Sequence, residues 1–144
     1  MNNLKWIVGK NRAPPRSQSS VEQTALFKTL PTLISQSIVE KSQSPHYSRI
    51  LMVPKPDGIF RMCIDYRALN DCTADARWPI PNIAEMVRRI DSQKPKVFEI
   101  MDLTQGYHQA PLTLATRAYT AFITLSGVYQ FTRLHFGPKR ARSY

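Results

Sequence analysis

A mixed architecture of helices and hairpin-paired strands is what this sequence predicts, and three observations carry that reading. Lys55-Pro56-Asp57-Gly58 lies between two apolar stretches. Proline presets φ there and Asp-Gly supplies a left-handed corner, so the stretches read as strands of one hairpin. Ser126-Gly127 is a second two-residue hairpin signal between Tyr119–Leu125 and Val128–Leu134. Between these hairpins, Ile83, Met86, Val87 and Ile90 fall at i, i+3, i+4 and i+7, the spacing of an amphipathic helix.

Taken in order, Met1 to Ser20 carries Lys5, Lys10, Arg12 and Arg16 but no acid, with Pro14-Pro15 and a Ser/Gln run. It reads as a disordered basic arm. From Val21 to Glu40, Leu26, Leu30, Leu33, Ile34 and Ile38 stand near helical spacing, and Pro31 is expected to divide the stretch into two short helices. Ile50–Val53 and Ile59–Asp65 are the strands of the first hairpin. On the second of these, Arg61, Cys63 and Asp65 share one face; Phe60, Met62, Ile64 and Tyr66 share the other, which reads as buried.

Asp65 to Asn70 turns the chain and Trp78-Pro79-Ile80-Pro81 extends it. Asn82 then caps the amphipathic helix, with Glu85 at capping-box spacing. Arg88 and Arg89 lie toward its outer side. Gln109 to Leu112 reads as a brief strand.

Phe98 to Leu103 is expected to be a short strand that ends on a carboxylate, Asp102. A turn relaxed by Gly106 and then the aromatic Tyr107 follow at once. An acid leaving the core at a strand end suits a hard cation such as Mg²⁺. Read alone, such an acid is more often a turn or cap residue. Lys55 and Arg61 on the first hairpin could clamp a phosphate chain, or could simply protect a solvated edge strand.

The 144 residues suit one domain, and the net charge of +10 favours an anionic partner. No apolar run is long enough for a membrane span. The N-terminus has no signal-peptide core. Cys63 and Cys72 make no disulfide framework, and His46, His108 and His135 are scattered. An intracellular protein, neither secreted nor membrane-bound, is expected.

Six motifs stand in one order: Val53-Pro54-Lys55-Pro56-Asp57-Gly58; Arg61-Met62-Cys63-Ile64-Asp65-Tyr66-Arg67-Ala68-Leu69-Asn70; Trp78-Pro79-Ile80-Pro81; Met101-Asp102-Leu103-Thr104-Gln105-Gly106-Tyr107-His108-Gln109; Tyr119-Thr120-Ala121-Phe122; and Phe136-Gly137. From about Ile38 to Gly137 the chain closely resembles the reverse transcriptases of gypsy-class LTR retrotransposons. The resemblance implies an α+β fold: polymerase fingers and the first part of a palm, an antiparallel sheet with helices packed on one face, incomplete at its C-terminal side. It implies an RNA-directed DNA polymerase using two Mg²⁺ ions, a template-primer of RNA or DNA, and deoxynucleoside triphosphates. By the same resemblance Asp102 is the metal ligand and catalytic acid. Lys55 and Arg61 contact the incoming phosphates. Leu103 and Tyr107 line the nucleotide, with the Tyr107 ring under its sugar and crowding a 2′-hydroxyl. Phe136 and Gly137 lie near the incoming base and template. Arg67, Arg88 and Arg89 are candidate nucleic-acid contacts.

The chain departs from the family pattern in two ways. It contains no Asp-Asp pair, the second acidic motif of the family. His135, Pro138 and Arg140 stand where the family usually has Pro, Leu and a small residue. The expected organisation is therefore a basic arm at 1–20, a partial reverse transcriptase domain at 21–137 and a basic tail at 138–144. On this reading the chain is a piece of a Pol polyprotein, inactive alone. The alternatives are a non-catalytic nucleic-acid-binding module and a relic. Phe98–Leu103 and Tyr119–Leu134 are expected to lack strand neighbours.

Overall fold

The computed structural model describes residues 17–73 and 82–138. The expected arm up to Arg16, the Trp78-Pro79-Ile80-Pro81 motif and the tail from Lys139, with Arg140, lie outside the described residues.

The first element is one helix, α1 (Ser20–Ser35), and Pro31 sits inside it. The two-helix expectation fails because both ends are held. Ser19 accepts from the Glu22 backbone N–H while the Glu22 carboxylate accepts from the Ser19 N–H, a reciprocal capping box. At the other end Ser37 takes a left-handed φ of 53°. Ile38 N–H reaches back to Leu33 C=O at 2.9 Å, and Ser37 N–H to Ile34 C=O at 2.9 Å. That paired closure stops the helix five residues before Glu40. Leu26 and Leu30 are buried, so packing outweighs the single backbone bond that proline deletes.

Ile38 is thus core beyond the helix, and the chain continues as β1 (Val39–Lys41), a strand where the sequence had suggested helix. The first hairpin forms as predicted, from β2 (Ser48–Pro54) and β3 (Phe60–Asp65) in a register from Arg49↔Asp65 to Pro54↔Phe60. Gly58 takes a φ of 77°, and the Asp57 carboxylate accepts from Ile59 N–H at 3.0 Å. Met62, Ile64 and Tyr66 are buried, the predicted face.

The short α2 (Arg67–Asp71) follows, then α3 (Ile83–Gln93), where Asn82 accepts from Glu85 N–H at 3.3 Å as the spacing predicts. The α3 apolar stripe is exposed along its whole length.

Phe98–Leu103 is not a strand. Residues 97–103 have no ladder partner among the described residues, and Ile100 is 94% exposed. Alternation sets which faces a strand would show, but only a neighbouring backbone completes it, and that pairing is non-local. Gln109–Leu112 also differs. Gln109 ends a helical turn, α4 (Gly106–Gln109), and only Pro111 bridges, to Arg133.

α5 (Leu114–Arg117) runs into a 3₁₀ turn at Ala118–Thr120, so the strand expected from Tyr119 begins later, as β4 (Phe122–Thr124). β5 (Gly127–Phe131) pairs with it, Thr124 facing Gly127. The connecting residues are therefore Leu125 and Ser126, one step before the predicted pair, and Gly127 opens the strand at φ 128°.

The five strands lie in the order β1-β5-β4-β2-β3. β4 and β5 are inner strands, so the expectation that Tyr119–Leu134 lacks neighbours is corrected: β1 flanks β5 on one side and β2 flanks β4 on the other. Three ladders are antiparallel; β2 and β4 pair in parallel through Ser48↔Phe122 and Arg49↔Ile123. The α+β class stands. One apolar core runs from α1 across this sheet to Leu69, Leu112 and Leu134, with Phe122 and Phe131 fully enclosed. Among the described residues no helix is long and apolar enough to cross a membrane.

Candidate functional site

Asp102 lies in the extended segment before α4 and is exposed. Beyond it the chain reverses at Gln105, which takes a left-handed φ of 51° without glycine's help. Gly106 serves another need. A Cβ there would stand 3.2 Å from the Leu103 Cβ, so its small size lets α4 fold back on the segment carrying Leu103. Gly106 N–H donates to Leu103 C=O at 3.2 Å, and the Gln109 side chain donates to Thr104 C=O at 3.1 Å. These bonds fix the offset between Asp102 and Tyr107.

The far end of α4 is tied to the chain leaving β5. Leu134 N–H donates to Ala110 C=O and Leu112 N–H to Thr132 C=O, both at 2.8 Å. The Arg133 guanidinium donates to the carbonyls of His108 and Gln109 at 3.4 Å. A cation suits the carbonyl end of a helical turn. This stitching brings Tyr107 against Phe136, ring centroids 4.1 Å apart at 48°.

Gly137 is held in turn. It adopts a φ of 114°, and an added Cβ would meet Tyr66 Cδ2 at 2.9 Å. The Asn70 side-chain amide donates to its carbonyl at 2.9 Å. Tyr66 is buried and donates to Thr120 C=O at 3.0 Å. Its enclosure raises the phenol pKa, so the hydroxyl stays a donor.

The structure thus brings Tyr107, Phe136 and Gly137 together, with Leu103 and Asp102 on the segment behind α4. Lys55 and Arg61 stay on the first hairpin, both exposed. Among the described residues no hydrogen bond, ion pair or ring contact joins them to Tyr107 or Asp102. The three candidate nucleic-acid arginines are engaged. Arg67 forms a two-pronged pair with Asp65, at 2.8 and 2.6 Å, and that hydrogen bonding holds the Asp65 carboxyl below its usual range. Arg88 and Arg89 share the Glu85 carboxylate at 3.7 and 3.5 Å. All three keep most of their side-chain surface in solvent and remain open to an anion.

Sequence reasoning missed the second layer. His108 and His135, 27 positions apart, are scattered in sequence but stack with centroids 6.0 Å apart. His135 also lies flat on Phe131 at 4.1 Å. Burial, and then the neighbouring His108 charge, depress the His135 pKa to about 4; burial and Arg133 lower that of His108. Hydropathy offers no signal for such a pair. The one available clue was a histidine where the resembled family has proline.

Among the described residues no group of three or more His, Cys, Asp or Glu could hold a metal ion. Asp102 offers one hard-oxygen ligand; with water and phosphate a single Mg²⁺ can be held by one or two carboxylates, but a pair of ions needs more than this.

Comparison with known proteins gives the family. The profile of the family "Reverse transcriptase (RNA-dependent DNA polymerase)" matches residues 53–141, from the first hairpin through Gly137. The retrovirus-related Pol polyprotein of transposon 297 from Drosophila melanogaster is 37% identical over 114 residues, 76% of this chain. That of transposon 412, from the same fly, is 36% identical over 141 residues, 94% of the chain. The chain spans 11% of the length of each of these two relatives. Among solved structures, a foamy viral protease-reverse transcriptase in complex with double-stranded DNA superposes with a TM-score of 0.76 at 22% identity, covering 99% of this chain and 29% of that one. The native prototype foamy virus protease-reverse transcriptase gives 0.73 at 21%, covering 91% and 17%. Those two likenesses speak to the fold. Reverse transcriptases in general depend on divalent metal. With residues 53–141 matched by the family profile and relatives 36–37% identical over 76–94% of its length, the chain belongs to the reverse transcriptase (RNA-dependent DNA polymerase) family.

Proposed function

We propose that this chain carries the nucleotide-facing half of a retrotransposon reverse transcriptase active site. The observation that supports it is the Tyr107–Phe136 contact at 4.1 Å, which joins two of the assigned nucleotide-site motifs across a gap of 29 positions. In this reading the Tyr107 ring and Phe136-Gly137 form a wall for the sugar and base, with Leu103 beside it. Asp102 ligates metal at its open end. Lys55 and Arg61 meet the triphosphate on the first hairpin, and Arg67, Arg88 and Arg89 meet the template-primer. Two-metal phosphoryl transfer needs carboxylates on both ions. The described residues supply one, so they do not fit that centre by themselves, and we route no step through it. The exposed apolar surface of α3 and of residues 97–103, which border one groove through Val87, Ile90 and Phe98, is where the rest of a Pol polyprotein would pack.

The test is a graft. Residues 38–137 placed in a complete gypsy-class reverse transcriptase are expected to support DNA synthesis, and Asp102→Asn should lower its rate by at least about a hundredfold, since it removes a metal-binding charge. A grafted enzyme indifferent to Asp102→Asn would remove that residue from the site.

The single carboxylate also favours a second reading for the 144-residue chain alone: a nucleic-acid-binding module without catalysis. Its charge of +10 supports this. Non-specific binding with Kd of about 10⁻⁴–10⁻⁶ M near physiological salt is expected, weakening steeply as salt rises. Affinity that ignores salt, or prefers one sequence, contradicts an electrostatic origin.

A further inference from the structure

His135 occupies the centre of a continuous column of rings. Phe122 packs on Phe131 with centroids 5.2 Å apart, and the His135 ring lies on Phe131 at 4.1 Å and 8°. Phe136 meets His135 edge-on at 6.4 Å and 81°, and Tyr107 packs on Phe136. The column therefore runs from the sheet core to the surface pair. Tyr66 presses on His135 from the side, at 6.3 Å and 69°.

Two ring nitrogens in this column are buried without a partner, Nδ1 of His135 and Nε2 of His108. His108 Nδ1 faces the Gln105 amide oxygen at 3.3 Å, an acceptor. In the tautomer that donates Nδ1–H to that oxygen, Nε2 is a bare acceptor. The titratable and charged groups around His135 are His108 and Tyr107 from α4, Tyr66 from the end of β3, and Arg133 from the chain leaving β5. Among the described residues no carboxylate acts on His135. An added proton on His135 meets apolar rings and positive neighbours, with no anion to receive it.

We propose that His135 is the positioning residue of the Tyr107–Phe136 pair: as a neutral ring it holds the column together, and on gaining a proton it leaves the column and frees Phe136 from Tyr107. The proposal rests on the reading of that pair as the wall of the nucleotide site. It adds a role for a residue outside the wall, and it makes the wall sensitive to acid.

The test uses the full chain and no nucleotide. Ring resonances of Tyr107, Phe136, His108 and His135 are followed by NMR from about pH 7.5 down to about pH 3, so that the scan passes through the His135 midpoint near 4. Tyr107 and Phe136 signals are expected to move together, tracking the His135 titration. In His135→Phe, which keeps a flat ring and loses the proton, they are expected to stay fixed. In His108→Gln the midpoint of His135 should rise, since a repelling neighbour is gone. Phe122, deep in the sheet, should hold constant throughout. A Tyr107 signal that ignores the His135 titration overturns the proposal. So does one that moves equally in His135→Phe. If Phe122 shifts along with Tyr107, the sheet itself is melting, and a local device is likewise ruled out. These outcomes are separate from the grafting test: a chain can pass here and still fail to bind nucleotide, which would keep the column and reject the wall.

Discussion

Phe131→Ala should destabilise the fold by about 3–5 kcal/mol, the range for deleting a large aromatic from an enclosed site. Phe131 has no exposed surface and touches the rings of both Phe122 and His135. Its strand, β5, bonds β1 on one side and β4 on the other, so neighbours cannot collapse into the gap without breaking a ladder. Its backbone N–H donates to the Thr120 hydroxyl at 2.9 Å, and that hydroxyl donates to Arg117 C=O at 2.7 Å. The lesion therefore spreads to the 3₁₀ turn. Domains of this size hold only about 5–15 kcal/mol of net stability. Denaturant titration measures the loss; a change below about 1 kcal/mol would mean that Phe131 is not enclosed as described. Phe27→Ala on α1 is the contrast. That ring is 68% exposed, and its removal should matter little.

Acid should destabilise the chain through His135, by as much as about 3 kcal/mol. The folded-state pKa is depressed to about 4 from the ordinary 6.5. Above pH ~6.5 neither the folded nor the unfolded chain protonates this ring, and its contribution is fully present. As pH falls from there, the unfolded chain takes up the proton and the folded chain does not, so stability declines by up to about 1.4 kcal/mol per unit. The decline levels off below pH ~4, where both states are protonated. Asp65 acts in the same direction but lower on the scale, because its folded pKa lies below the ordinary 3.8. Its contribution is lost only as pH falls through that lowered value. The two windows are separable by titrating stability at a series of pH values. His135→Phe should reduce the upper slope, leaving only the share of His108, whose pKa is also lowered, and leave the lower window unchanged. An unchanged upper slope in that variant would assign the acid sensitivity elsewhere.

What the sequence made legible was local. Pro56-Asp57-Gly58 carries its own turn chemistry, and Asn82 with Glu85 carries its own cap; both features formed where expected. The buried face of β3 followed from alternation alone. Non-local partners decided the rest. Val39 fell within the Val21–Glu40 stretch expected to be helical, and became strand because Phe131 lies opposite it. Phe98–Leu103 had the right alternation and no opposite strand among the described residues, so it stayed extended and exposed. Pro31 argued for a break that two well-closed helix ends overrode.

The site divided along the same line. The local spacing of Asp102, Gly106 and Tyr107 was readable because five consecutive peptide units hold it, although the left-handed residue proved to be Gln105. The meeting of Tyr107 with Phe136 depends on stitching between α4 and the exit of β5, which no local pattern encodes. The column of rings beneath it was hidden for the same reason.

The central claim is that the Tyr107 ring faces the sugar of an incoming deoxynucleotide. The direct measurement is the ratio of ribonucleotide to deoxynucleotide incorporation by the grafted enzyme, before and after Tyr107→Val. A ring that crowds the 2′-hydroxyl predicts a rise in that ratio of at least about tenfold, equivalent to ~1.4 kcal/mol of lost discrimination, with deoxynucleotide use much less affected. An unchanged ratio in an otherwise active graft would contradict the account and leave Tyr107 as a packing residue of Phe136.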